Sequence, residues 1–179
     1  MRIWTVGHGA RAIEAFLGIL TDAGVGTLVD VRRFPGSRRH PQFGREALAE
    51  AVRAAGIEYS WQGETLGGRR HGRPGSRHTE LRTAAFAAYA DHMDTPQFRA
   101  AADELIERAA TGRPAVMCAE TLWWHCHRML IADALTMRGA AVEHLLDAGS
   151  RQPHRLTTGV RRGEDGWPVY DAQPVLPGL

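Results

Sequence analysis

The sequence predicts a single-domain α/β protein, a mostly parallel open sheet with helices on both faces, in the manner of a Rossmann-like three-layer sandwich. Three observations lead there. Short apolar runs alternate with stretches of helical periodicity, the polar residues cluster where those runs end, and 179 residues is the size of one domain.

The elements follow in order. Residues 3–6 are a β-prone apolar run that stops at Gly7, His8 and Gly9, a first strand. Residues 12–23 place Ile13, Phe16, Leu17 and Leu20 on one helical face, and Gly24 and Gly26 end that helix. Residues 27–31 are a second strand, apolar up to Asp30, and a helix between two such strands is the βαβ unit that makes them parallel. The stretch 32–44 holds Pro35, Gly36 and Pro41 and is irregular. A helix resumes over 45–55, and residues 57–61 read as a third strand.

Residues 62–80 are polar, Gly- and Arg-rich and without periodicity, a loop long enough to be a lid, a binding loop or disordered. Helices are expected at 82–92 and 95–110, the second opened by Thr95 with Pro96 at its first position. Residues 115–119 form a buried strand, 125–138 a helix closed by Gly139, and 142–146 the last strand. From 149 to 179 the chain reads as an irregular C-terminal tail.

Composition narrows the class. A hydrophobic fraction of 44% excludes a disordered chain, and the apolar stretches are too short to span a membrane. The N-terminus lacks the long apolar segment of a signal peptide, so the expected location is cytoplasmic, with no membrane partner. A net charge of +2 does not by itself announce nucleic-acid binding. Its distribution says more: Arg32, Arg33, Arg38, Arg39, Arg69, Arg70, Arg73 and Arg77 fall between residues 32 and 77, opposed there by Glu46, Glu50, Glu58 and Glu64. Such a local cationic surface attracts anions, although a solvated arginine-rich loop gives the same pattern.

In an open parallel sheet, ligands bind beyond the carboxyl ends of the strands. His8 follows the first strand, Asp30 and Arg32 end the second, and Cys118 and Glu120 end the strand at 115–119. The densest cluster runs from Cys118 to Arg128, with Cys126, His127 and Arg128 near a helix start. The free amides and dipole there favour an anion or a thiolate. Cys118, His125, Cys126 and His127 supply metal-ligating atoms, but in no standard zinc spacing. Cys118 is equally a buried strand residue, Asp30 a salt-bridge partner for Arg32, His144 a core histidine, and Trp123 and Trp124 packing or a stacking surface.

The residues also carry a resemblance. Thr5-Val6-Gly7-His8, the stretch from Asp30 to Arg38 with Pro41 and Phe43, Leu66-Gly67-Gly68-Arg69, and Cys118-Ala119-Glu120 with Cys126-His127-Arg128 and Ile131-Ala132 together resemble the domain-of-unknown-function 488 family. The resemblance implies an α/β fold and shared polar positions at His8, Asp30, Arg32, Ser37, Arg38, Arg69, Cys118, Glu120, Cys126, His127 and Arg128, with no activity attached. The family's usual proline between Glu120 and Cys126 is replaced here by Leu122, Trp123 and Trp124, which reshapes that loop.

The leading expectation is an enzyme on an anionic substrate, a nucleotide or a nucleic-acid end. Cys118, Cys126, His127 and Glu120, with Asp30 as a general base, would carry the chemistry. His8, Arg32, Ser37, Arg38, Arg69 and Arg128 would bind the substrate. Two rivals stay open. One is a nucleic-acid-binding module without catalysis, built on loop 62–80 and the tryptophans. The other is a metal or haem protein using Cys118, Cys126, His125 or His127, or His8 or His144 as an axial ligand. The cofactor is left unassigned, and a homodimer is open as the assembly.

Overall fold

The computed structural model describes residues 1–36 and 38–171. The first half of the chain forms β1 (Arg2–Gly7), α1 (Ile13–Ala23), β2 (Thr27–Asp30), α2 (Arg45–Ala54) and β3 (Glu58–Trp61). The second half forms α3 (Ala84–Met93), α4 (Pro96–Arg108), β4 (Pro114–Cys118), α5 (Arg128–Met137), β5 (Ala141–Asp147), β6 (Ser150–Pro153), β7 (Val160–Arg162) and β8 (Pro168–Tyr170). The main sheet has the order β3-β2-β4-β1-β5-β6, in which β6 alone is antiparallel.

Successive strand residues point to opposite faces. Trp4, Val6, Leu28, Ala115 and Met117 therefore meet Phe16, Ile19, Leu20, Leu48 and Val52 of α1 and α2. Ile3, Val29 and Val116 face the other way, onto Tyr89, Leu105, Leu130 and Leu135 of α3, α4 and α5. Both faces are covered, which is the predicted three-layer α/β sandwich. The helix signals act as read: Gly24 closes α1 in the left-handed conformation (φ 70°), and the Thr95 hydroxyl accepts the Phe98 N–H at 3.3 Å, with Pro96 at the first helical position. No helix of the described residues is long and apolar enough to cross a membrane.

Two readings change. The helix expected from 125 begins at Arg128; a 3-10 turn occupies Trp123–His125, and Cys126 is extended at φ −132°, ψ 151°. The chain also does not end its sheet at 146, nor is the tail irregular from 149. Gly149 (φ 71°) turns it back into β6, and β7 and β8 form a hairpin. Sequence periodicity misses these strands because β6 is exposed at all four positions and β7 and β8 have three residues each. Trp167, Val169 and Tyr170 are buried, and the Tyr170 hydroxyl donates to Asp133 Oδ2 at 2.9 Å. The tail's last residues, 172–179, lie outside the described residues.

Loop 62–80 has no regular structure, as expected, yet it is anchored. Tyr89 donates to the Leu66 carbonyl at 2.6 Å, and Arg73, Arg77 and His78 all converge on Asp94. Hydrogen bonds from His78 and Arg77 outweigh burial and hold the Asp94 carboxyl at about 2. Those loop cations are thus spent on tying the loop to the end of α3.

Candidate active site

The central strands end in register. β4 lies between β2 and β1, with Cys118 opposite Gly7 and Met117 opposite Asp30. Just beyond the strands, His8 N–H donates to the Cys118 carbonyl (3.1 Å), Gly9 N–H to Ala119 (2.9 Å) and Val31 N–H to Met117 (3.0 Å). The segments leaving the sheet consequently share one edge, and a cleft of about 260 Å³ opens there. Cys118, Cys126 and His127 line its interior, Phe86 and Tyr89 of α3 form a wall, and Arg32, Arg33, Phe34, Arg69, Glu120 and His125 complete it.

The sulfur chemistry concentrates on one ring. His127 Nδ1 lies 3.6 Å from Cys126 Sγ and 4.0 Å from Cys118 Sγ. Burial opposes a charge on Cys126, but a hydrogen bond from Cys118, the adjacent His127 ring and the Arg128 charge outweigh it and push this thiol well below the ordinary range. The same hydrogen bond, burial and the Cys126 charge hold Cys118 well above it. Of the two thiols, Cys126 is the one whose surroundings favour the charged form and Cys118 the one whose surroundings oppose it. Cys126 lies just ahead of the His127 N-cap of α5, near the helix start as expected, and the side chains of Cys118, His127 and Arg128 add to the field there.

Arg32, Asp30 and His8 form a separate buried layer. Arg32 donates to Asp30 through Nε (2.9 Å) and Nη2 (2.6 Å), and Tyr59 donates to Asp30 Oδ2 at 2.7 Å. Arg32 Nη1 donates to the Phe43 carbonyl (2.7 Å) and lies 3.3 Å from His8 Nε2. His8 stacks on Phe43 with ring centroids 4.1 Å apart. Burial pulls its pKa down to about 4 against the hydrogen bond to Gly9. Both carboxylate oxygens of Asp30 are therefore occupied, and of this layer only Arg32 lines the cleft.

Arg128 also turns away from the cleft. It is buried, and its guanidinium donates to the carbonyls of Glu120 and Thr121, pinning the loop that carries Cys126. Gly7 is required beneath that loop, because a Cβ there would lie 1.9 Å from the Glu120 carbonyl. Arg38 is exposed and does not line the cleft, and Ser37 lies outside the described residues. Arg69 and Glu120 are exposed lining residues. Arg69 has φ 57°, and its carbonyl accepts from Arg33 Nη1 at 2.7 Å.

Sequence reasoning left Arg33, Phe34, Phe86, Tyr89 and His125 out of the substrate and catalytic sets. Arg33 and Phe34 were within reach, as a cation and an aromatic side by side just past a strand end. Phe86 and Tyr89 look in sequence like the core face of a helix.

Two clusters could share an ion. The donor atoms of Cys118, Cys126 and His127 lie within 4.8 Å of one another, and so do those of His78, Asp91 and Asp94. The first lacks the fourth His, Cys, Asp or Glu donor of a structural zinc among the described residues. The second already has cations in Arg73, Arg77 and Arg99. His144, the axial-ligand candidate, is enclosed: Thr5 Oγ1 is 2.6 Å from its Nδ1, His154 is 3.0 Å from its Nε2, and Trp123 stacks on it at 4.0 Å. Burial, with His154 and Arg128 nearby, lowers its pKa to about 3.

Comparison with curated proteins and with solved structures yields no match. The sequence pattern described as "Domain of unknown function DUF488" matches residues 12–135, taking in the stretch from Asp30, the Leu66–Arg69 block and the Cys118–Arg128 cluster, and starting after His8. Those residues are most of the 179 in the chain and include all the cleft-lining residues, so the protein belongs to the DUF488 family.

Proposed function

We propose that the protein is a thiol-dependent enzyme acting on an anionic, nucleotide-like substrate, with Cys126 as its nucleophile. The observation that carries this reading is the pairing of a thiolate-favouring Cys126 with a cationic, aromatic cleft. Phe34 is 63% exposed, and the Arg33 and Arg69 guanidiniums lie 5.6 and 5.9 Å from its ring centroid. An exposed ring flanked by guanidiniums suits a flat base that carries phosphate, since the ring stacks and the cations pair with the charge.

In the reaction, the Cys126 sulfur attacks the electrophilic atom of the bound substrate, and the bond to the leaving oxygen breaks as the S–X bond forms. The neutral Cys118 thiol, which lines the same cleft, gives its proton to that oxygen. Water then cleaves the adduct, aided by Glu120 or His127, and returns a proton to Cys118.

A polynucleotide is a poorer fit than a small nucleotide. Arg73 and Arg77, which would otherwise track a phosphate backbone, are paired with Asp94, and Arg77 also with Asp165.

Calorimetric titration with adenosine monophosphate and with inorganic pyrophosphate tests the reading. Arg33→Ala and Arg69→Ala are expected to weaken both ligands, each by about tenfold, the worth of one lost charge-assisted contact. Phe34→Ala is expected to weaken the nucleotide and leave pyrophosphate unchanged. Unchanged affinities in the two arginine variants, or no binding to the wild type, would overturn the anion site.

A further inference from the structure

We propose that Cys118 and Cys126 close into a reversible disulfide, so that the cleft holds a two-electron thiol pair able to reduce a small hydroperoxide. The inference rests on the reading of Cys126 as the reactive thiol and adds a partner for it.

Geometry carries it. Both sulfurs line the same cleft and lie within 4.8 Å of one another, next to the same imidazole nitrogen. The chain has two cysteines in all, so within one molecule each has only the other to pair with. The two are held differently. Cys118 is the last residue of the central strand, its backbone in register with Gly7 and its carbonyl bound by the His8 N–H. Cys126 lies in an extended link between a 3-10 turn and α5, the more adjustable of the two positions. Closing the bond therefore needs movement of the Cys126 side and leaves the sheet intact. Both thiols are largely covered, at 7% and 3% exposure, which admits a small oxidant and excludes a protein disulfide.

The chemistry balances in two steps. The Cys126 thiolate attacks the terminal oxygen of the hydroperoxide, the O–O bond breaks, and the alkoxide leaves with a proton as an alcohol, or as water when the oxidant is hydrogen peroxide. Cys126 is now a sulfenic acid. Cys118 then attacks that sulfur, the S–O bond breaks, and water departs with the Cys118 proton, leaving the disulfide. A small external dithiol restores both thiols by two exchanges and is itself oxidised to a disulfide. In the oxidised state no nucleophile remains at Cys126, so the activity proposed above is off.

The test is intact-mass analysis and thiol counting after one equivalent of hydrogen peroxide is added to freshly reduced protein. The wild type is expected to lose both free thiols and the mass of two hydrogens, to remain monomeric in covalent mass, and to recover fully with dithiothreitol. Cys118→Ser should instead hold a sulfenic acid at Cys126 that dimedone traps. A wild type that only gains oxygen atoms, or that forms only disulfide-linked dimers, overturns the pair. If Cys126 is nonetheless alkylated rapidly at low pH, the loss falls on the disulfide alone. If that alkylation is also slow, the nucleophile reading falls with it.

Discussion

Replacing Asp30 with alanine is expected to lower the stability of the protein to unfolding by about 3–5 kcal/mol, the cost of leaving a buried charge without its partner. Asp30 is fully buried and receives the Arg32 guanidinium at 2.6 and 2.9 Å, the Tyr59 hydroxyl at 2.7 Å and the Arg32 N–H at 3.0 Å. Removing the carboxylate strands all of them inside the protein. The pair itself need not stabilise the fold much against an apolar substitute, so Asp30→Ala combined with Arg32→Met should recover a large part of the loss. Urea denaturation of the wild type and the two variants measures both effects. A loss under about 1 kcal/mol for Asp30→Ala would mean that water, rather than protein, surrounds Arg32.

Arg128→Met should produce a comparably large effect of a different kind. Methionine keeps much of the buried volume, so the change isolates the charge and its hydrogen bonds to the Glu120 and Thr121 carbonyls. A loss of about 2–3 kcal/mol is expected from unsatisfied carbonyls in the loop. The second consequence reaches Cys126. Arg128 is among the groups that favour its thiolate, so the thiol's pKa should rise and its alkylation below pH 7 should slow. A variant that unfolds more easily yet alkylates at the wild-type rate would reduce Arg128 to a structural prop.

The central strands β1, β2 and β4 were legible because each is a short, largely apolar run punctuated by Gly, Asp or a polar turn, and that signal needs no knowledge of neighbours. The order β2-β4-β1 was not legible, yet it brings His8, Asp30 and Cys118 to one edge. The rule that ligands gather beyond strand ends stood in for it. What sequence cannot report is direction. Arg128 and Arg69 read alike as cations near a site, but Arg128 turns inward to the loop carbonyls and Arg69 lines the cleft. Asp30 reads both as a partner for Arg32 and as a base; the salt bridge is there, and Tyr59, 29 residues away in sequence, adds a second donor that sequence does not show. The tail escaped for a simpler reason: three-residue strands are too short to show a period, and the burial of Trp167 and Tyr170 depends wholly on tertiary contacts.

The central claim is that Cys126 is a thiolate in an anion-attracting cleft, and the pH profile of its alkylation tests that claim most directly. The rate of iodoacetamide modification, site-resolved by peptide mass, would be followed from pH 4 to pH 10 in wild type and in Cys118→Ser. A thiol with a depressed pKa is already charged at low pH, so its rate should level off well below the ordinary midpoint of about 8.5. At pH 6 it should exceed that of a free cysteine by about tenfold, after allowance for the lower nucleophilicity of a stabilised thiolate. Cys118→Ser substitutes a hydroxyl donor for the thiol that favours the charge and should shift the profile without abolishing the reaction. A midpoint at or above 8.5 for Cys126 would contradict the account and leave the two cysteines as buried packing.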